Sequence, residues 1–248
     1  MLHIDNVYKS FGKQHVLQGV TMHIKTGEIH TLIGGNGSGK TTLFNLITGF
    51  IKPNQGEILM NHKSLHHETP VAINQKGITR TFQDLRIIKQ LSVKENILLS
   101  FKNNPGEKLY NAFLPSRIFH KQYQELDFKA NIILEKIHLT SVAQNLAGEL
   151  SYGQQKLLTI GCCIANDAKL LLLDEPIAGI DKENYVRIYQ LLLDLKNEGK
   201  TILQIEHNHE FVKSLSNGLW FLHDGKVRFF NNYNEFIHDE IVFKTYLN

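Results

Sequence analysis

The chain is 248 residues long, 42% hydrophobic and 21% charged, room for one large domain or two closely packed lobes and a balance that excludes a disordered polymer. Its net charge of +3 is small and its lysines and arginines are dispersed, so composition carries no nucleic-acid footprint. Asp5 interrupts the opening Met1-Leu2-His3-Ile4 before a secretory apolar segment can form. The longest apolar candidate, Leu157 to Leu173, is broken by Asn166, Asp167 and Lys169 and falls short of the roughly 18 residues that span a bilayer. A soluble chain is expected, with any membrane role carried by a partner. Cys162 and Cys163 are adjacent in an apolar segment, which predicts buried thiols rather than a disulfide framework.

In chain order, residues 3–8, 20–24 and 28–33 alternate partially with β-branched side chains and are predicted strands. The glycine-rich turn 34–39 follows, then a helix over 40–48 with Leu43, Leu46 and Ile47 on one face, ended by Gly49. Residues 56–60 predict a short strand turned by Asn61-His62. From about Leu91 to Ala165 the pattern is helical, with Phe128, Ile132, Ile133 and Ile137 expected on one apolar face and residues 101–115 as a loop-like insertion. Leu170 to Leu173 is an unbroken apolar run, as in a parallel strand buried on both faces. A helix carrying Tyr185, Ile188, Leu191, Leu192 and Leu195, a strand over 201–205 and a hairpin at Asp224-Gly225 complete the chain. Strands alternating with helices predict an α/β fold with a mostly parallel central sheet, an N-terminal antiparallel β portion and an inserted helical lobe.

Gly34-Gly35-Asn36-Gly37-Ser38-Gly39-Lys40-Thr41 satisfies G-x-x-x-x-G-K-[ST], the phosphate-binding loop. Its glycines let backbone N–H groups approach phosphate oxygens, and the following helix, with Thr42 in its first turn, adds the positive end of its dipole. Lys40 is expected on the β and γ phosphates of ATP and Thr41 on Mg²⁺. Asp174, closing the 170–173 strand, is placed where α/β sheets hold ligands and is expected to hold Mg²⁺ through water, while Glu175 orients the attacking water. An Asp-Glu pair alone would be a solvated turn; the phosphate loop upstream gives it meaning.

Leu150-Ser151-Tyr152-Gly153-Gln154-Gln155 resembles the signature motif of ABC ATPases, with tyrosine for its first glycine. Locally the same string fits a helix N-cap at Ser151. The resemblance implies that Ser151, Gly153 and Gln154 meet a γ phosphate from the far side. It further identifies Gln83, in Thr81-Phe82-Gln83-Asp84, with the Q-loop glutamine that senses Mg²⁺ and the attacking water. Asp181, in Ala178-Gly179-Ile180-Asp181, matches the D-loop, His207 the switch histidine and Phe11 the aromatic that stacks on adenine, Tyr8 being the alternative. These landmarks keep the family's order across nearly the whole chain. Two histidine groupings, His62/His66/His67 and His207/His209, lack a zinc spacing.

Arg80 to Arg86, the Phe44 to Phe50 segment, the tyrosine-bearing signature and the ending Tyr246-Leu247 resemble ATPases of branched-chain amino-acid importers; urea and amide importers and lipopolysaccharide exporters have similar subunits. The resemblance implies a single ABC ATPase domain over 1–248, with a P-loop NTPase core and β subdomain over 1–90 and 166–248 and a helical subdomain over about 91–165. It implies a subunit that is cytoplasmic and peripheral on the inner face of the membrane. Its expected partners are integral-membrane permease subunits, a second ATPase of the same or a related chain and, indirectly, a substrate-binding protein, with no nucleic acid. Gly161-Cys162-Cys163 departs from the family's usual Ala-Arg-Ala. A soluble ABC ATPase of ribosomes or DNA would carry two domains or a coiled-coil insertion, and a GTPase would carry an Asn/Thr-Lys-x-Asp motif; neither feature occurs.

Overall fold

The computed structural model describes residues 1–81, 85, 87–102 and 116–247. Its strands are β1 (Leu2–Phe11), β2 (Gln14–Ile24), β3 (Ile29–Ile33), β4 (Gln55–Met60), β5 (Lys63–Ser64), β6 (Ile78–Arg80), β7 (Leu170–Asp174), β8 (Thr201–Ile205), β9 (Gly218–His223) and β10 (Lys226–Phe230). Its helices are α1 (Lys40–Ile47), α2 (Pro70–Gln75), α3 (Val93–Ser100), α4 (Ser116–Lys136), α5 (Tyr152–Ala165), α6 (Lys182–Asn197), α7 (His209–Leu215), α8 (Tyr233–His238) and α9 (Glu240–Val242). The chain divides into two compact units, one of Met1–Arg80, Lys169–Pro176 and Leu193–Asn248, the other of Thr81–Ala168 and Ile177–Leu192. No described helix is long and apolar enough to cross a membrane.

The first unit is mixed α/β. A four-stranded antiparallel sheet runs β2-β1-β4-β5, and a six-stranded sheet runs β10-β9-β3-β8-β7-β6, parallel except for β10. β3 and β8 are buried throughout, and β7 up to its last residue, which explains the continuous apolar run Leu170 to Leu173 of β7. Leu43, Phe44 and Ile47 of α1 pack into one core with Leu2 and Ile4 of β1, Ile58 of β4 and Leu172 of β7. This anchors the start of α1 at the carboxyl ends of the parallel strands, where such sheets bind ligands.

Polar residues inside this sheet bond one another, although Gln204 Oε1 is buried with no partner among the described residues. Gln204 Nε2 donates to Thr31 Oγ1 at 3.0 Å, Trp220 Nε1 donates to His30 Nδ1 at 3.1 Å, and His30 Nε2 lies 2.8 Å from Glu28 Oε2. With Nδ1 accepting, His30 carries its proton on Nε2 and is neutral. Burial depresses its pKa below the ordinary value near 6.5, more than the Glu28 carboxylate raises it. The unfolded chain therefore takes up a proton below pH ~6.5 that the folded chain refuses, so this stability is full above that pH and drains away as pH falls. Urea unfolding between pH 7.5 and 5 should show a loss approaching about 1.4 kcal/mol per pH unit from this group. His30→Gln should flatten the dependence; an equal slope in the variant would refute the assignment.

The second unit is helical. Ser92 caps α3 in a reciprocal box with Glu95, and Lys94 reaches Asp127 of α4 at 2.6 Å. The expected apolar face of α4 needs correction: Phe128 is 67% and Ile132 50% exposed, while Ala130, Ile133, Leu134 and Ile137 are buried. At about 100° per residue, Phe128 and Ile132 lie nearly half a turn from the 130/133/134/137 stripe, so the four expected residues straddle opposite faces. At Gly161, the first position of the departure in α5, a Cβ would stand 2.7 Å from Ile137 Cδ1, so glycine lets α5 close on the end of the α4 segment. Burial pushes the Cys162 thiol up to about 11 and Cys163 higher still, so both are inert protonated thiols. The insertion at 101–115 lies outside the described residues from position 103 onward.

Candidate nucleotide site

In the first unit, β3 delivers the chain into the glycine-rich loop. Gly34 has to be glycine because a Cβ would stand 2.3 Å from the Leu222 carbonyl oxygen, and Gly39 opens α1 at φ 107°. Gly35, Asn36 and Gly37 are exposed, as is Thr41, with Thr42 half-buried behind it. Lys40 is buried and folds back over the loop, its Nζ donating to the Gly34 and Gly35 carbonyls at 2.7 and 2.9 Å. Burial depresses its pKa, while Glu175 and Asp174 pull the other way. Ser38 Oγ is buried with no hydrogen-bond partner among the described residues. An open cavity of about 480 Å³ borders the loop, lined by Gly35, Asn36, Gly37 and Ser38, by Gln14, His15, Val16 and Gln18 of β2, by His223, Asp224 and Gly225 of the hairpin, and by Thr245. An orphaned hydroxyl, exposed backbone N–H groups and a Cβ-free cradle around a cavity fit a polyphosphate.

The hairpin is tied to β2 by Gln18, whose backbone N–H donates to the Gly225 carbonyl at 2.8 Å. Sequence reasoning placed the turn at Asp224-Gly225 but not its role in the cavity wall; no spacing signal joins residues so far apart. Phe11, at the end of β1, lies outside this lining; its ring is 49% exposed with Lys9 Nζ 5.1 Å from the centroid.

Across the strand ends, Asp174 closes β7 and its Oδ2 accepts from Arg80 Nη2 at 2.9 Å. Arg80 Nη1 donates to Asn45 Oδ1 at 2.6 Å, and the guanidinium lies over Phe44, 5.2 Å from the ring centroid. Arg80 and Asp174 side chains are only 4% and 8% exposed, so the pair is buried and orients the carboxylate. Sequence reasoning gave Arg80 and Asn45 no role in the site. Glu175 follows in the left-handed region at φ 49°, held by its N–H to the Ile205 carbonyl at 3.0 Å. Its Oε1 lies 3.7 Å from His207 Nε2, and His207 Nδ1 is 2.9 Å from the Tyr246 hydroxyl. Burial and then Lys40 depress the His207 pKa, Glu175 opposing them, so the imidazole is neutral at pH 7. Lys40, Asp174, Glu175 and His207 are thus gathered within the first unit; Gln83 lies outside the described residues.

The second unit holds the other expected residues. Ser151 caps α5, its Oγ accepting from Gln154 N at 3.3 Å while Gln154 Oε1 accepts from Ser151 N at 3.0 Å. The N-cap reading is therefore realised in full, and it leaves the Ser151 O–H free in direction to donate elsewhere. Gly153 was expected to admit a phosphate; what it admits here is Asn184, whose Nδ2 would stand 2.6 Å from a Cβ. Asp181 holds Asn184 in turn, accepting from its N and Nδ2 at 2.9 and 2.6 Å, and those bonds keep the Asp181 carboxyl below the usual range.

The ABC transporter family pattern matches residues 17–178. The probable branched-chain amino acid transport ATP-binding protein of Methanocaldococcus jannaschii is 36% identical over 227 residues, 92% of this chain and 88% of that one. A solved ATP-binding cassette of an ABC transporter in its ADP conformation is 33% identical with a TM-score of 0.85, covering 100% of this chain and 98% of its own. A cassette dimer in a post-hydrolysis state bound to ADP and phosphate is 26% identical, with a TM-score of 0.77 over 93% of this chain and 98% of its own. The phosphate loop, the acidic strand end and the signature helix thus have the fold that family carries, and this chain belongs to the ABC transporter family of ATP-binding cassettes.

Proposed function

We propose that this chain is the ATPase subunit of an importer of branched-chain amino acids, working on the cytoplasmic face of the membrane against integral-membrane permease subunits. The observation that carries the chemistry is the gathering of Asp174, Glu175 and His207 around Lys40, which follows Ser38, a cavity-lining residue whose buried hydroxyl has no partner among the described residues. The substrate is supported by the name of the M. jannaschii relative.

In this reading the loop N–H groups and Lys40 bind the ATP phosphates, Lys40 exchanging its bonds to the Gly34 and Gly35 carbonyls for phosphate oxygens. Thr41 and Asp174, with Gln83, would hold Mg²⁺, which when bound neutralises charge on the β and γ oxygens. Arg80 keeps the Asp174 carboxylate aimed. Glu175 accepts a hydrogen bond from the attacking water, and His207, neutral, donates to the γ phosphate. Phe11 flanks the adenine. A second copy, or a related chain, presents its Ser151-Gly153-Gln154 and Asp181 to the same nucleotide, so that ATP favours the closed pair and hydrolysis reopens it.

The test is affinity purification of the chain from gently solubilised native membranes, with partners identified by mass spectrometry. Two multi-span permeases and a second ATPase are expected. Ribosomes or soluble partners alone would overturn the transporter assignment while leaving the ATPase chemistry standing.

A further inference from the structure

Two histidines follow β8, and each is met by a tyrosine from the C-terminal segment. The Tyr246 hydroxyl lies 2.9 Å from His207 Nδ1, and the Tyr233 hydroxyl lies 2.9 Å from His209 Nδ1. Tyr246 belongs to the π-helical turn Phe243–Leu247, which follows α8 and α9. Its ring is met edge-on by Phe221 of β9 and Phe236 of α8, with centroids 5.8 and 6.2 Å away. Phe236 and Val242 are fully buried in the same cluster. The position of the phenol is therefore set by the sheet and by α8, independently of the histidine it touches.

We infer that Tyr246 is a positioning residue for ATP hydrolysis, its hydroxyl donating to His207 Nδ1 and so fixing the imidazole tautomer that carries hydrogen on Nε2; this rests on His207 being the γ-phosphate contact. A neutral imidazole offers one N–H and one lone pair. His207 Nε2 faces Glu175 Oε1 at 3.7 Å, where a lone pair would be repelled by the carboxylate and an N–H is attracted. Hydrogen on Nε2 leaves Nδ1 as the acceptor, and a phenol can supply the donor. Burial holds the Tyr246 hydroxyl protonated by raising its pKa to about 12. With the opposite tautomer Nε2 would offer a lone pair to an anionic phosphate oxygen. The phenol thus does for this histidine what second-layer partners do for metal-bound imidazoles, selecting which nitrogen is the donor.

The test uses the full chain, labelled at histidine nitrogen, with tautomers read from two-bond proton–nitrogen correlations and turnover read with Mg-ATP. The wild-type chain should show His207 as the Nε2–H tautomer. Tyr246→Phe, which keeps the packed ring, should show a mixture and lower kcat about fivefold, the scale of one hydrogen bond, with KM for ATP within about twofold. Tyr233→Phe should change neither. An Nδ1–H tautomer in the wild-type chain overturns the inference without any variant. So does a Tyr246→Phe chain with unchanged tautomer and kcat while His207→Ala is inactive, a result that leaves His207 in its role. Wild-type turnover by His207→Ala removes the role itself, and the inference with it.

Discussion

Glu175→Gln is expected to bind ATP as the wild-type chain does while its turnover falls by about a hundredfold or more, the scale of a lost general base. Glutamine matches glutamate in size, and the backbone that places it is fixed from outside by the Ile205 carbonyl accepting the residue 175 N–H at 3.0 Å. What changes is the charge facing His207 and the water that would attack the γ phosphate. An amide is a far weaker proton acceptor than a carboxylate, so chemistry slows and binding does not. On the proposed cycle, in which binding closes a pair of cassettes and hydrolysis reopens it, the variant should accumulate as an ATP-bound dimer, visible by light scattering at saturating Mg-ATP. Turnover at the wild-type rate would remove Glu175 from the catalytic role.

Lys40→Ala should act one step earlier. The Lys40 ammonium is buried over the loop and bonded to two backbone carbonyls, with Asp174 and Glu175 as the nearby charges that favour its ionisation. Its removal deletes the cation aimed at the phosphates and leaves a locally negative site facing a polyanion. Charge-assisted hydrogen bonds are worth about 1.5–3 kcal/mol each, so ATP affinity should fall about a hundredfold by titration calorimetry. Lys40→Arg should not restore it, since a planar fork does not fit where a compact ammonium sits between two carbonyls. Affinity within about threefold of wild type in the alanine variant would show that the loop backbone alone holds the nucleotide.

The apolar run 170–173, the glycine-rich turn and the hairpin were legible because each is written in adjacent residues with one physical cause: burial on both faces, freedom from Cβ, or a tight turn. The signature string was legible both as a cap and as a family motif, and the capping box satisfies the first. What was not legible joins residues distant along the chain. Arg80, Asn45 and Asp174 meet only because β6 pairs with β7 and α1 packs on their sheet. Asn184 fills the space at Gly153, and Tyr246 reaches His207, through tertiary packing with no local spacing to announce it. The α4 stripe failed for a different reason: Phe128 and Ile132 are hydrophobic yet exposed, and hydrophobicity alone does not set a phase when apolar residues stand on both faces.

Glu175 sits in a backbone conformation that suits glycine and costs a glutamate about 1 kcal/mol. The sequence of greatest stability and the sequence of greatest activity therefore part at this position. On the proposed role of Glu175, a glycine would relax the turn and raise the melting temperature by a few degrees while removing the group that orients the attacking water. Screens that select this chain for thermal endurance alone will be drawn toward such a substitution, and selection for growth on the transported solute will be drawn back.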